Sequence, residues 1–252
     1  MSTQQTASAI ALPLVRIALV VLAALATAGI LALAGQPFGP EAVSTFGAIY
    51  LLPVNILSLM LVGRLLKREG STIRAAIGFD RSRLGRDIGW GSIWLMVLFV
   101  PFVAAIMGTM FALHGGDMFE RFETVFAPDV SQVPTLGLAG SLVFAIVAVV
   151  TFAPLNAPAE ELVYRGYSQG RLAPHHPVVA VLVPSALFGI QHIAFAATPT
   201  GMLVYAVAFF AWGLGSALIY RWQRRLMPLI IAHLIVNLGT SLPALILPFV
   251  LN

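Results

Sequence analysis

The stretch LGLAGSLVFAIVAVVTFAPLNAPAEELVYR, Leu136–Arg165, decides the fold. It holds 24 residues without a charge and then ends on Glu160, Glu161 and Arg165. About 20 apolar residues are what an α-helix needs to cross the hydrocarbon core of a bilayer. A charge at that depth costs several kcal/mol unless it faces a partner or a wet cavity, so it marks a functional site. Glu161 and Arg165 stand at i,i+4 and can pair along one helix face. Glu160, rotated by roughly 100°, must find another partner.

The rest of the chain has the same character. Of its 252 residues, 59% are hydrophobic and 10% charged, and mean hydropathy is +0.94. Soluble domains carry about 25% charged residues, so the composition excludes that class. The expected fold is all-α, a polytopic transmembrane helix bundle of about seven spans, forming a single integral membrane domain over residues 1–252. The longest polar stretch, Arg64 to Trp90, is too short to bury a second core. Net charge is +4 and the pI about 10.0, but the basic residues cluster beside the spans, where topology accounts for them without a nucleic acid. With no cysteine, disulfides and thiolate chemistry are excluded.

In order, the expected spans are Leu12 to Ala34, Thr45 to Leu66, Ile88 to Leu113, Leu136 into Glu160, Val178 to Ala197, Met202 to Tyr220 and Met227 to Leu251. An eighth element follows if a broken helix is counted. Ala32-Leu33-Ala34 also imitates a signal-peptidase site, which leaves cleavage of the first span open. Pro154 and Pro158 should bend or restart span four, and a kink is expected near Gly239 to Pro243. The loop Arg64 to Asp87 carries seven basic residues against three acids and is read as cytoplasmic. Part of it, Ile73 to Leu84, can lie on the membrane surface. The loop with Asp117, Glu120, Glu123 and Asp129 then faces the other side. The amino terminus is expected in the cytoplasm, and the Ala/Leu/Arg-rich style suggests the inner (plasma) membrane of a bacterium.

Few strongly polar groups remain in the later spans: Glu160, Glu161, Arg165, His192, His233 and Asn237. His233 and Asn237, four apart, share a helix face. Singly, each has an ordinary role in packing or as glue between helices. Together, a carboxylate and imidazoles in a protected wet cavity are equipment for activating water. A further imidazole and a carboxamide can donate to an oxyanion. This inventory describes peptide hydrolysis without a covalent nucleophile. Ser168 and Ser185 lack a nucleophile-elbow context. Zinc remains open, since two histidines and a glutamate suffice as ligands, although HExxH spacing is absent. A transporter with an acid–histidine relay has the right residue types but lacks repeat symmetry.

Glu160-Glu161-x-x-x-Arg165, Phe188-x-x-x-His192 and His233-x-x-x-Asn237, in this order, resemble the motif set of the CPBP family, the CAAX prenyl endopeptidases and bacterial abortive-infection or bacteriocin-processing proteins. The helix Phe209 to Tyr220, with Gly213 and Gly215, is similar to that family's glycine-containing helix. The likeness spans about residues 143–238. It implies a glutamate intramembrane protease acting on a peptide or protein substrate, membrane-associated substrates included. Glu160 would be the base and His192 would hold the water. His233 and Asn237 would form the oxyanion site, and Glu161 with Arg165 would order the base. No cofactor or metal is implied. The family also includes immunity and regulatory proteins, so a non-proteolytic binding role is the alternative. One difficulty stands. With span four ending at Glu160, His192 lies about 15 residues into span five, roughly 22 Å of helix. A meeting requires Glu160 to be carried inward or span five to start outside the membrane, with a cavity expected to open to the cytoplasm.

Overall fold

In the lipid core every backbone N–H and C=O must be paired within its own segment, and helices satisfy this. The computed structural model describes residues 3–127 and 129–250 and contains no strand among them. Its helices are α1 (Thr3–Leu33), α2 (Pro40–Thr45), α3 (Gly47–Arg68), α4 (Ile73–Ile77), α5 (Leu84–His114), α6 (Phe122–Phe126), α7 (Gly137–Val147), α8 (Ala153–Glu161), α9 (Gly170–Leu172), α10 (Pro177–His192), α11 (Pro199–Gln223), α12 (Met227–Ser241) and α13 (Pro243–Val250). Among the described residues seven helical runs are long and apolar enough to cross a membrane, as expected. Leu25, Met96, Val100 and Val150 stand exposed on the outside; such a belt suits lipid rather than water. The interior is built by α3, α5, α8 and α10–α12 around Leu66, Leu98, Tyr164, Phe188 and Leu229.

Two expected boundaries move. Span four does not end at Glu160: helix continues to Leu172, so that Gly137–Leu172 forms one run of 36 residues. The prolines do not break it. Instead π-helical turns, Ala148–Phe152 and Leu162–Gln169, flank α8. Widened turns of this kind are frequent at functional sites. The polar segment Leu162–Gln169 is buried throughout, which its composition conceals. Span one also starts earlier than its hydropathy suggests, at Thr3, because the uncharged flank before Leu12 is helical. Arg16 therefore lies mid-helix rather than near an end. The last span is interrupted only at Leu242, between α12 and α13, and α13 packs against α7.

Close helix approach is built on missing side chains. A Cβ on Gly189 would stand 2.4 Å from the Ala206 carbonyl oxygen, so α10 and α11 touch through their backbones. Gly213 meets Ser185 in the same seam. On the basic face, α4 is capped by Thr72, whose side chain accepts from the Ala75 N–H, and it ends at Gly78 in the left-handed conformation. Its Ile73 and Ile77 dock onto the main core. Arg171 binds Glu69 (Nε–Oε2 2.8 Å) and Arg225 binds Asp87 (2.7 Å), tying the ends of α9 and α3, and of α11 and α5, together in pairs there. Trp90, Trp94 and Trp222 pack at this same end, where aromatic residues favour the interface.

Candidate active site

Extending the helix past Glu160 resolves the depth problem. Twelve residues separate Glu160 from the end of its run at Leu172, about 18 Å of helix, and fifteen separate His192 from the start of α10 at Pro177. Counted from the same face, the two residues reach similar depths. Glu160, His192, His233 and Asn237 all line one cavity of about 740 Å³, and Asn156 joins them. The remainder of its wall is largely aromatic, including Phe99, Phe102, Phe144, Phe195, Phe209 and Trp212. Glu161 and Arg165, also buried, stand behind this wall.

The two oxygens of Glu160 have different surroundings. Oε1 accepts from Arg16 Nη2 (2.9 Å) and from Gln191 Nε2 (2.6 Å). Oε2 has no hydrogen-bond partner and faces His233 Nε2 at 3.6 Å. An isolated carboxylate in apolar surroundings is very costly, and a buried cation with satisfied hydrogen bonds offsets much of that cost. Arg16 is that cation. Its Nε donates to Gln191 Oε1 (2.8 Å), Nη1 to Ser58 (2.9 Å), and Nη2 also to Asn55 (2.8 Å) and Asn156 (3.1 Å). Gln191 bridges acid and base, and Tyr164 Oη donates to it at 2.9 Å. α1, α3, α8 and α10 thus meet on one guanidinium, and cleavage after Ala34 would remove it.

The histidines are held by different means. His192 Nδ1–H donates to the Phe188 carbonyl (2.7 Å), one helical turn back, and its ring stacks on Phe209 at 3.6 Å. With the proton fixed on Nδ1, the lone pair of Nε2 is left for a ligand. His233 Nδ1–H donates to Glu161 Oε1 (3.1 Å), which also accepts from Arg165 Nη1 (3.1 Å). The Glu161–Arg165 pair is the i,i+4 contact that the sequence spacing implies. Arg165 in turn lies over the Phe188 ring (4.4 Å) and donates to the Gly213 carbonyl (3.3 Å). Asn237 presents a buried amide nitrogen, Nδ2, without a partner.

All six residues singled out in the sequence therefore gather in one region, four on the cavity and two supporting it. Sequence reasoning missed Arg16, Gln191, Asn55, Ser58 and Asn156. A signal existed for Arg16, the single charge inside the first apolar run, and for Asn55 with Ser58, three apart on one face of the second. Among the described residues no group of three His, Asp or Glu side chains is placed to hold a metal ion. The cavity runs from Glu160 toward Ser44, Phe122 and Ser241, at helix ends opposite the basic loops, and no residue of those loops lines it.

Residues 139–239 match the family model described as "Type II CAAX prenyl endopeptidase Rce1-like", a membrane-protease family. The matched segment contains Glu160, Glu161, Arg165, His192, His233 and Asn237, and over these residues the chain is similar to the CAAX protease family that the motifs resemble. Comparison with curated proteins and with solved structures found no match.

Proposed function

We propose that this chain is a protease of the Rce1-like CAAX type and hydrolyses a peptide bond at membrane depth with water activated by Glu160. The observation carrying this reading is the division of labour at the carboxylate: Oε1 is held by Arg16 and Gln191, while Oε2 has no hydrogen-bond partner and faces His233 Nε2 at 3.6 Å. A water seated between Oε2 and His192 Nε2 would lose a proton to Glu160 as its oxygen attacks the substrate carbonyl. Glu160 would then pass that proton to the leaving amine. The developing oxyanion would accept from Asn237 Nδ2 and from His233 Nε2. Since Nδ1–H of His233 is already donated to Glu161, Nε2–H is available only in the imidazolium form, whose charge Glu161 offsets. With Arg16, Arg165 and that imidazolium set against Glu160 and Glu161, the site carries one net positive charge; proton transfer to Glu160 moves its negative charge onto the oxyanion, where the donors stabilise it, and leaves that total unchanged. His192 positions water, and Glu161 with Arg165 positions His233.

The whole chain acts as a single integral membrane domain of the plasma membrane, with its amino terminus on the cytoplasmic, basic face. The test is comparative proteomics of membrane fractions from wild-type and Glu160→Gln cells. An uncleaved precursor should accumulate in the variant while the protein itself inserts at normal levels. Unchanged processing by an inserted Glu160→Gln protein would remove Glu160 from the mechanism.

A further inference from the structure

The distribution of charge over the bundle ends is lopsided. Of the fourteen Lys and Arg residues, eleven lie at one face: seven between Arg64 and Arg86, then Arg171, Arg221, Arg224 and Arg225. Arg16 and Arg165 are inside the bundle. At the opposite face Arg121 stands against Glu41, Asp117, Glu120, Glu123 and Asp129. An excess of Lys and Arg in short loops marks the cytoplasmic side.

The cavity belongs to the other face. Its outer lining comes from Ser44 and Thr45 at the end of α2, Phe122 and Phe126 on α6, and Thr240 and Ser241 at the end of α12. Toward the basic face it is closed, because Leu162–Gln169 is buried throughout and packs under α4 and α11. At the inner end wait two buried polar atoms without partners, Glu160 Oε2 and Asn237 Nδ2. α2 and α6, which line the entrance, also carry Glu41 and Glu123.

Resting on the proteolytic reading, we infer that the site takes its substrate from the extracytoplasmic face, and that this substrate is a polypeptide with large apolar residues at the cleavage site flanked by Lys or Arg. The aromatic wall accepts the apolar residues by burial of their surface. The acidic entrance favours a cationic flank and repels an acidic one. Such a flank is discriminating, since exported segments beside membrane anchors are ordinarily poor in Lys and Arg.

The chain has no cysteine, so single substitutions report without background. Ser44→Cys and Thr240→Cys mark the entrance and Lys67→Cys the basic face, each combined with Glu160→Gln so that labelling is read without turnover. A membrane-impermeant maleimide added to intact spheroplasts should label the first two and should reach Lys67→Cys only after permeabilisation. A Phe/Leu-rich peptide with a Lys/Arg flank should protect Ser44→Cys at a concentration at least tenfold lower than the same peptide with a Glu/Asp flank. Labelling of Lys67→Cys alone in intact cells would overturn the assignment of the face. Equal protection by the two peptides would overturn the substrate class. Undiminished precursor processing by Glu160→Gln, with the labelling pattern intact, would instead overturn the proteolytic reading and locate the failure there.

Discussion

Replacing Arg16 by Met tests whether the site is organised around a buried cation. Arg16 is 1% exposed, and its guanidinium serves five side-chain oxygens, those of Gln191, Ser58, Asn55, Asn156 and Glu160. Met fills similar volume but leaves the Glu160 charge unpaired. Breaking a buried pair from one side costs about 3–5 kcal/mol, roughly two to four orders of magnitude in the folding equilibrium. The assay is unfolding of the purified protein from mixed micelles by SDS titration, followed by helicity. Arg16→Met should lower stability by about 3 kcal/mol or more. The double variant Arg16→Met/Glu160→Gln removes both charges and should cost at least about 1.5 kcal/mol less than the sum of the single changes, within the range measured for directly coupled residues. Additivity within about 0.5 kcal/mol would mean that the two groups do not sense each other, and the account of how Glu160 is held would fail.

Other expectations follow from the same geometry. Asn237→Ala should leave stability within about 1 kcal/mol, because its Nδ2 has no partner, yet slow precursor processing by about 10²–10³, the usual effect of losing one oxyanion donor. Gln191→Leu removes the 2.6 Å bond to Glu160 and the acceptor of Arg16 Nε; processing should fall at least tenfold, and Gln191→Glu should be no better, since it sets a second carboxylate against the first. Gly189→Val should destabilise the bundle by about 1–3 kcal/mol through overpacking, because even a Cβ meets the Ala206 carbonyl at 2.4 Å. SDS titration reads this directly.

Much of the architecture was legible because lipid removes alternatives. Backbone groups without water must pair within helices, so hydropathy alone placed seven spans. The local pairs were legible for a similar reason: Glu161 with Arg165, and His233 with Asn237, are fixed by helical period. What could not be read depends on distance along the chain. Arg16 and Glu160 are 144 residues apart, and no periodicity links them. The end of span four was placed at Glu160 because the uncharged run stops there, whereas Arg165 and Gln169 beyond it find buried partners in Glu161 and in the Gly213 and Ala217 carbonyls on α11. The side on which the cavity lies follows from that same burial. It was beyond a one-dimensional reading.

The central claim, that the unpartnered oxygen of Glu160 removes the proton from the attacking water, is tested most directly with an accumulated precursor. It would be mixed with purified wild-type or Glu160→Gln protein in lipid vesicles and followed by time-resolved mass spectrometry. General-base catalysis contributes typically 10²–10⁴-fold, so the variant should cleave at least about 100-fold more slowly while keeping its helicity and its capacity to bind the precursor. Cleavage at the wild-type rate would contradict the account.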